Sequence, residues 1–190
     1  GHRGRPVGLD PAQGMLAQAR TRADIEWRCG YLPDTGYDAE FDLVVMTGHA
    51  FQVLLTDDEV HAHLAAIHRA LVAGGHFAFD TRNPRVAPWS AWTPEDVTQV
   101  TDHVGNAVQV WAEVQAVDGE FVDFVQRYAG SGSLLQESRT TLRFLPAEAV
   151  DALLTRAGFL VDERYGDWDR SPFTPASREI ITVARHAPVV

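Results

Sequence analysis

The sequence predicts an α/β fold: a mostly parallel sheet with helices on both faces, into which an antiparallel meander is inserted. Three observations predict it. Short apolar strand patterns alternate with helical patterns through the first part of the chain. The run FDLVVM, Phe41 to Met46, ends in consecutive apolar residues, as expected of a strand covered on both faces. Beyond about residue 97 the apolar period changes to two, the signature of half-buried antiparallel strands.

Val7 to Leu9 reads as a short buried strand with Asp10 where it stops and Pro11 at the first helical position. Ala12 to Arg22 reads as a helix with Met15, Leu16 and Ala19 on one face, and Arg20 and Arg22 near its end suit the helix dipole. Ile25 to Cys29 is a second strand, broken by Gly30, and Tyr31 to Glu40 is a loop. Thr47, Gly48 and His49 follow the FDLVVM strand at its carboxyl end. Asp57 to Val72 carries Val60, Leu64, Ile67 and Leu71 at helical spacing, begun by two acids and ended by Gly74-Gly75. His76 to Asp80 is the next strand. Such alternation implies a parallel sheet with crossover helices.

Asn83-Pro84 and Pro88 then stop regular structure, with Trp89 and Trp92 just after. Two-residue alternation follows near 97–103, 107–117, 120–128 and 135–144, and it places Val108, Val110, Ala112, Val114 and Ala116 on one face. Asp118-Gly119 is a tight-turn signal, and Gly130 to Gly132 a looser one. A helix from about Pro146 to Ala157 resumes the scaffold, with Gly158 as its stop; the strands Phe159 to Tyr165 and Ile180 to Arg185 complete it. The reading is one domain over 1–190 with an inserted lid or dimerisation subdomain over 86–145. The loop from Gly166 to Ser177 is too long for a tight hairpin, and such loops are often functional.

The length of 190 residues suits one domain with a real core. A formal net charge of -10 argues against nucleic-acid binding, which needs a basic surface. The single cysteine, Cys29, permits no internal disulfide and points to a reducing cytoplasm. No apolar run approaches a membrane span, and GHRGRP at the start has no apolar signal segment. Gly1 and Gly4 follow no strand and open no helix, which argues against a phosphate loop.

Three blocks in order, VGLDPAQGMLAQAR, FDLVVMTGHAFQVL and LAAIHRALVAGGHFAFDTRNP, resemble a class I S-adenosylmethionine-dependent methyltransferase. AGF at 157–159 and GDWDRSP are similar to its small-molecule branch. The resemblance implies a Rossmann-like methyltransferase sheet and S-adenosylmethionine as cofactor. Asp10 would hold the ribose hydroxyls, a place at which a helix N-cap is the simpler reading of the same residue. Met15 would pack on the adenine, or else between helix and sheet. Gly30 and Tyr31 would border the adenine edge, although the family often has an acid where Tyr31 stands. Thr47 and Gly48 would lie beside the methionine portion. The family's first strand and glycine-rich loop would precede Gly1, so the chain reads as N-terminally incomplete, and these residues alone are expected to bind the cofactor weakly or not at all.

The sulfonium already activates the methyl group, so catalysis is mostly alignment. A neutral amine or hydroxyl acceptor must also lose a proton, and His49 is the candidate base; the alternative is a histidine that bonds the loop or positions the cofactor. His61, His63 and His68 lack the i, i+4 pairing of a helical metal site and read as a solvated face, so no metal is expected. Trp89, Trp92, Trp111 and Trp168 are candidates for an acceptor pocket under a meander lid, or for a homodimer interface. Asp167 and Asp169 either orient an amine or are solvated loop acids. The leading expectation is methyl transfer to a small organic acceptor. The alternatives are a nicotinamide oxidoreductase, and a non-catalytic remnant that pairs with another chain.

Overall fold

The structure, a computed structural model, describes residues 4–102, 104–130 and 133–187. Strands β1 (Val7–Asp10) and β2 (Glu26–Cys29) pair in parallel, in register from Val7↔Glu26 to Asp10↔Cys29. Helix α1 (Gln13–Ala19) joins them and is shorter than its apolar pattern predicts. The chain turns at 20–22, where Arg22 N–H reaches Ala19 O at 3.0 Å rather than a carbonyl four residues back. Gly8 lets the second strand approach: a Cβ there would lie 2.2 Å from the Trp27 ring. Trp27 is itself tied down, its Nε1–H donating to Arg22 O at 3.1 Å.

The central sheet has the order β3-β4-β10-β9, comprising β3 (Phe41–Met46), β4 (Leu71–Arg82), β9 (Phe159–Tyr165) and β10 (Glu179–His186). β3 runs parallel to β4, and β10 runs antiparallel to both its neighbours. Helix α2 (Asp57–Ala70) opens with a capping box in which Thr56 and Glu59 satisfy one another's backbone N–H groups. It stops short of the predicted Val72, because Leu71 is already extended and pairs with Phe41. Gly74-Gly75 therefore does not end the helix. It lies inside β4, where the register slips between Phe41↔Leu71 and Leu43↔His76, and Gly74 has φ 78°. That conformation suits glycine.

Helices α2 and α3 (Ala147–Arg156) share one core with the sheet, built from Val60, Leu64, Ile67, Val150 and Leu154 against Phe77 and Phe79. Both of these helices thus lie on one face of this sheet. The expectation that β3 is covered on both faces is corrected accordingly. Val44 and Met46 face the helices, while Leu43 and Val45 on the other face stay 53% and 50% exposed.

The meander forms its own antiparallel sheet, β5 (Thr98–Thr101), β6 (Ala107–Asp118), β7 (Phe121–Gly130) and β8 (Ser133–Arg143). The tight turn at Asp118-Gly119 is present, with Gly119 at φ 58°. The predicted shared face of β6 breaks at a register shift between Val114 and Ala116. In the looser turn, Ser131 and Gly132 lie outside the described residues. Val122, Leu142 and Phe144 form a small core beneath Trp89 and Trp92. Gln52, 1% exposed, fastens the two sheets: it donates to Arg143 O and accepts from the Arg82 N–H. No helix among the described residues is long and apolar enough to cross a membrane.

Candidate active site at the carboxyl edge

The carboxyl end of β3 and the neighbouring part of β4 face the start of β10, and three titratable side chains meet there. Gly48 and His49 both take left-handed conformations, φ 71° and 61°, which turn the chain sharply out of β3. For a non-glycine residue this costs about 1 kcal/mol. The turn is secured at His49 by its backbone N–H, which donates to Asp80 Oδ1 at 3.2 Å. The ring is gripped as well: Nε2 lies 2.9 Å from Glu179 Oε2 and 3.5 Å from Asp80 Oδ2. Asp80 is 5% exposed.

Arg82 borders this cluster. Burial pushes its guanidinium below its ordinary value, and the Glu179 and Asp80 charges oppose that shift. Its Nη1 donates to Gln52 Oε1 at 3.4 Å and its guanidinium lies 5.3 Å from the Trp92 ring. The histidine cluster is in this way continuous with Trp92.

On the other parallel pair, Asp10 ends β1 beside Cys29, and Gly30 N–H donates to Asp10 O at 3.2 Å. Asp10 Oδ1 accepts from Ala12 N–H at 2.7 Å, a local turn bond rather than the expected helix cap, because the N-cap of α1 is Ala12 and no side chain caps it. Its Oδ2 has no protein partner among the described residues. Met15 is 58% exposed and Tyr31 55% exposed, so neither is spent on the core. Tyr31 makes only an edge contact with His63, ring centroids 6.5 Å apart. A Cβ added to Gly30 or Gly48 would meet no atom within 4 Å. A free carboxylate oxygen, two exposed apolar side chains and two open glycine positions at strand ends fit a nucleoside with an attached amino-acid chain.

The structure pairs Asp10 with Gly30, and groups Thr47 and Gly48 with His49. The tryptophans do not share one pocket. Trp89 and Trp92 line a hollow of about 320 Å³ with Pro94, Glu113 and Val114. Trp168 lines another of about 380 Å³ on the open face of the central sheet, with Leu43, Ala78, Ile181 and Val183. Trp111 lines neither. Asp167 and Asp169 fold their own loop, accepting from the backbone N–H of Trp168 and Ser171.

His63 bonds Glu59 O, but His68 corrects the expectation of a solvated face. Its ring packs 3.7 Å from that of His186 and edge-on to Phe159. Sequence reasoning missed Asp80 and Glu179 as site residues. Asp80 had a signal, as the acid ending HFAFD. Glu179 had none, because it reaches His49 only through the antiparallel return of β10.

Residues 1–75 match a family model described as a methyltransferase domain. No curated protein sequence matches the chain. Among solved structures it is similar to an S-adenosylmethionine-dependent methyltransferase from Clostridium acetobutylicum, at TM-score 0.79 and 14% identity, over 97% of this chain and 76% of that one. It is similar to the CcbJ methyltransferase from Streptomyces caelestis, at TM-score 0.76 and 19% identity, over 97% and 75%. It is also similar to CalS10 with S-adenosylmethionine bound, an amino pentose methyltransferase from Micromonospora echinaspora, at TM-score 0.64 and 23% identity, over 95% and 73%. A methyltransferase-domain model thus matches residues 1–75, and over nearly the whole chain the fold is that of S-adenosylmethionine-dependent methyltransferases.

Proposed function

We propose that this protein transfers a methyl group from S-adenosylmethionine to a small organic acceptor that carries an amine or hydroxyl. One observation carries the reading: an acid and a histidine stand at the carboxyl ends of β1 and β3, in the segment that matches the methyltransferase domain. Asp10 Oδ2 takes the ribose hydroxyls, Met15 and Tyr31 flank the adenine, and the backbone at Thr47 and Gly48 borders the methionine portion.

Held by these residues, the cofactor would supply an activated methyl group: the acceptor heteroatom would bond to the methyl carbon as the carbon–sulfur bond breaks, with the electron pair left on sulfur. One proton must then leave the acceptor, and His49 takes it. Arg82 and Trp92 lead from His49 to the hollow at Trp89, which receives the rest of the acceptor. An amine acceptor is favoured: two carboxylates beside His49 attract a cation, and CalS10, of similar fold, is an amino pentose methyltransferase. The single, exposed Cys29 suits a cytoplasmic setting, and the meander is the surface for any homodimer.

The test is release of S-adenosylhomocysteine by the full-length protein with a panel of amine, phenol and alcohol acceptors, amino sugars included. The reading expects release that depends on acceptor and falls by about 10²-fold or more in His49→Gln. Unchanged release in that variant would remove His49 as the base. No release with any acceptor would contradict the methyl-transfer reading.

A further inference from the structure

The methyl-transfer reading does not say which nitrogen of His49 takes the proton, or what the two acids do. We propose that Glu179 and Asp80 are positioning residues that hold His49 with its proton on Nε2, leaving Nδ1 as the atom that accepts the acceptor's proton. The source of that proton rests on the proposed function; the tautomer rests on the geometry.

A carboxylate accepts hydrogen bonds and donates none. Nε2 lies 2.9 Å from Glu179 Oε2 and 3.5 Å from Asp80 Oδ2, so the hydrogen between them belongs to the imidazole. In the neutral ring the other nitrogen then carries the lone pair. Nδ1 has no protein partner among the described residues.

The grip is rigid at both ends of the residue. Asp80 is buried, and one carboxylate spans the His49 main chain and ring through its two oxygens. Glu179 is fixed by pairing opposite Arg82 in the β4–β10 ladder. Arg82 offsets part of the negative charge, and it is the cation that faces the cluster from β4. When Nδ1 takes a proton, the imidazolium that forms sits against two carboxylates. The proton moves from the acceptor heteroatom to Nδ1, and the Nε2 proton stays where it is.

The three ligand-type atoms also lie within 4.8 Å of one another, a spacing that would admit a divalent cation. A cation there would need a bare Nε2 lone pair. The two arrangements are therefore exclusive.

Long-range proton–nitrogen spectra of the full chain with labelled histidine rings test this, recorded above the ordinary imidazole titration range. The expected result is a lone-pair Nδ1 and a protonated Nε2 in the wild type, with mixed tautomers in Glu179→Ala. Backbone spectra of each variant report whether it folds, and Asp80→Asn is the second variant. In turnover, Glu179→Ala is expected to lower kcat by about 10-fold or more with KM for S-adenosylmethionine unchanged, and Glu179→Asp to recover part of the loss.

A protonated Nδ1 in the wild type would overturn the proposal. So would wild-type tautomer in both variants, or displacement of the Nε2 signal on adding Mg²⁺ alone. The expected tautomer without any methyl transfer would uphold the positioning while removing the proposed reaction.

Discussion

Asp10 and Asp80 both stand near the carboxyl ends of strands, yet their surroundings differ. Asp10 is partly exposed and bonds only its local turn, through Ala12 N–H. Asp80 is buried and holds a residue 31 positions away by main chain and ring. The difference extends to the regions around them. In the β1–α1–β2 unit, Leu16 is the one fully buried side chain, while Met15 lies open. The central sheet stacks Phe77 on Phe79 with centroids 4.5 Å apart beneath two helices. An acid with a free oxygen in a loosely packed unit can exchange partners with a ligand. An acid locked in a packed sheet can only aim something else. The first arrangement suits cofactor binding and the second suits positioning a base.

Several substitutions break or sharpen this contrast. Phe79→Ala has the largest expected effect, a loss of about 3–5 kcal/mol in urea unfolding, because a void opens in the central core. An equal loss in Gly14→Ala, which adds a methyl group to α1 where it meets no atom within 4 Å, would erase the distinction between the regions. Asp80→Asn is expected to lower turnover by about 10²-fold, by releasing His49 from its turn and ring position. Unchanged turnover would show that Asp80 aims nothing.

Asp10→Ala should weaken S-adenosylmethionine binding by about 1.5–3 kcal/mol, as for a lost charge-assisted hydrogen bond, while stability falls by about 1 kcal/mol through the lost turn bond to Ala12. Calorimetry and thermal melts separate these effects. The reverse ranking, a large stability loss with binding intact, would make Asp10 a structural residue.

The smallest expected effect is a pH dependence. Burial, and then the adjacent His186, hold the His68 imidazole below its ordinary value. The folded state therefore prefers neutral His68. That contribution is full above the unfolded value of about 6.5 and is lost as pH falls below it toward the depressed folded value. Urea midpoints should fall between about pH 7.5 and pH 5.5, and fall less in His68→Gln. Identical acid sensitivity in the two proteins would dismiss the histidine pair as its cause.

Much of the architecture was legible because it follows local periodicity. FDLVVM forms β3 over the predicted residues, and the meander strands β6 to β8 begin and end close to their alternating patterns. What periodicity does not encode is which faces are covered. Leu43 and Val45 read as core from their composition, yet both helices of this sheet pack on its other side. Asp10 and His49 were legible because they follow strand signals directly. Glu179 was not, since a residue 130 positions from His49 becomes its neighbour only through strand pairing. The tryptophans show the same limit: their number suggested one pocket, and the topology divides Trp89 and Trp92 from Trp168.

The most direct test of the central claim is a titration of the labelled chain with S-adenosylmethionine, followed by backbone amide spectra. The account expects the first and largest shifts at Asp10, Met15, Gly30 and Gly48, and their suppression in Asp10→Ala. Shifts confined to the meander around Trp89 and Trp92, or shifts at the strand ends that survive Asp10→Ala unchanged, would contradict it.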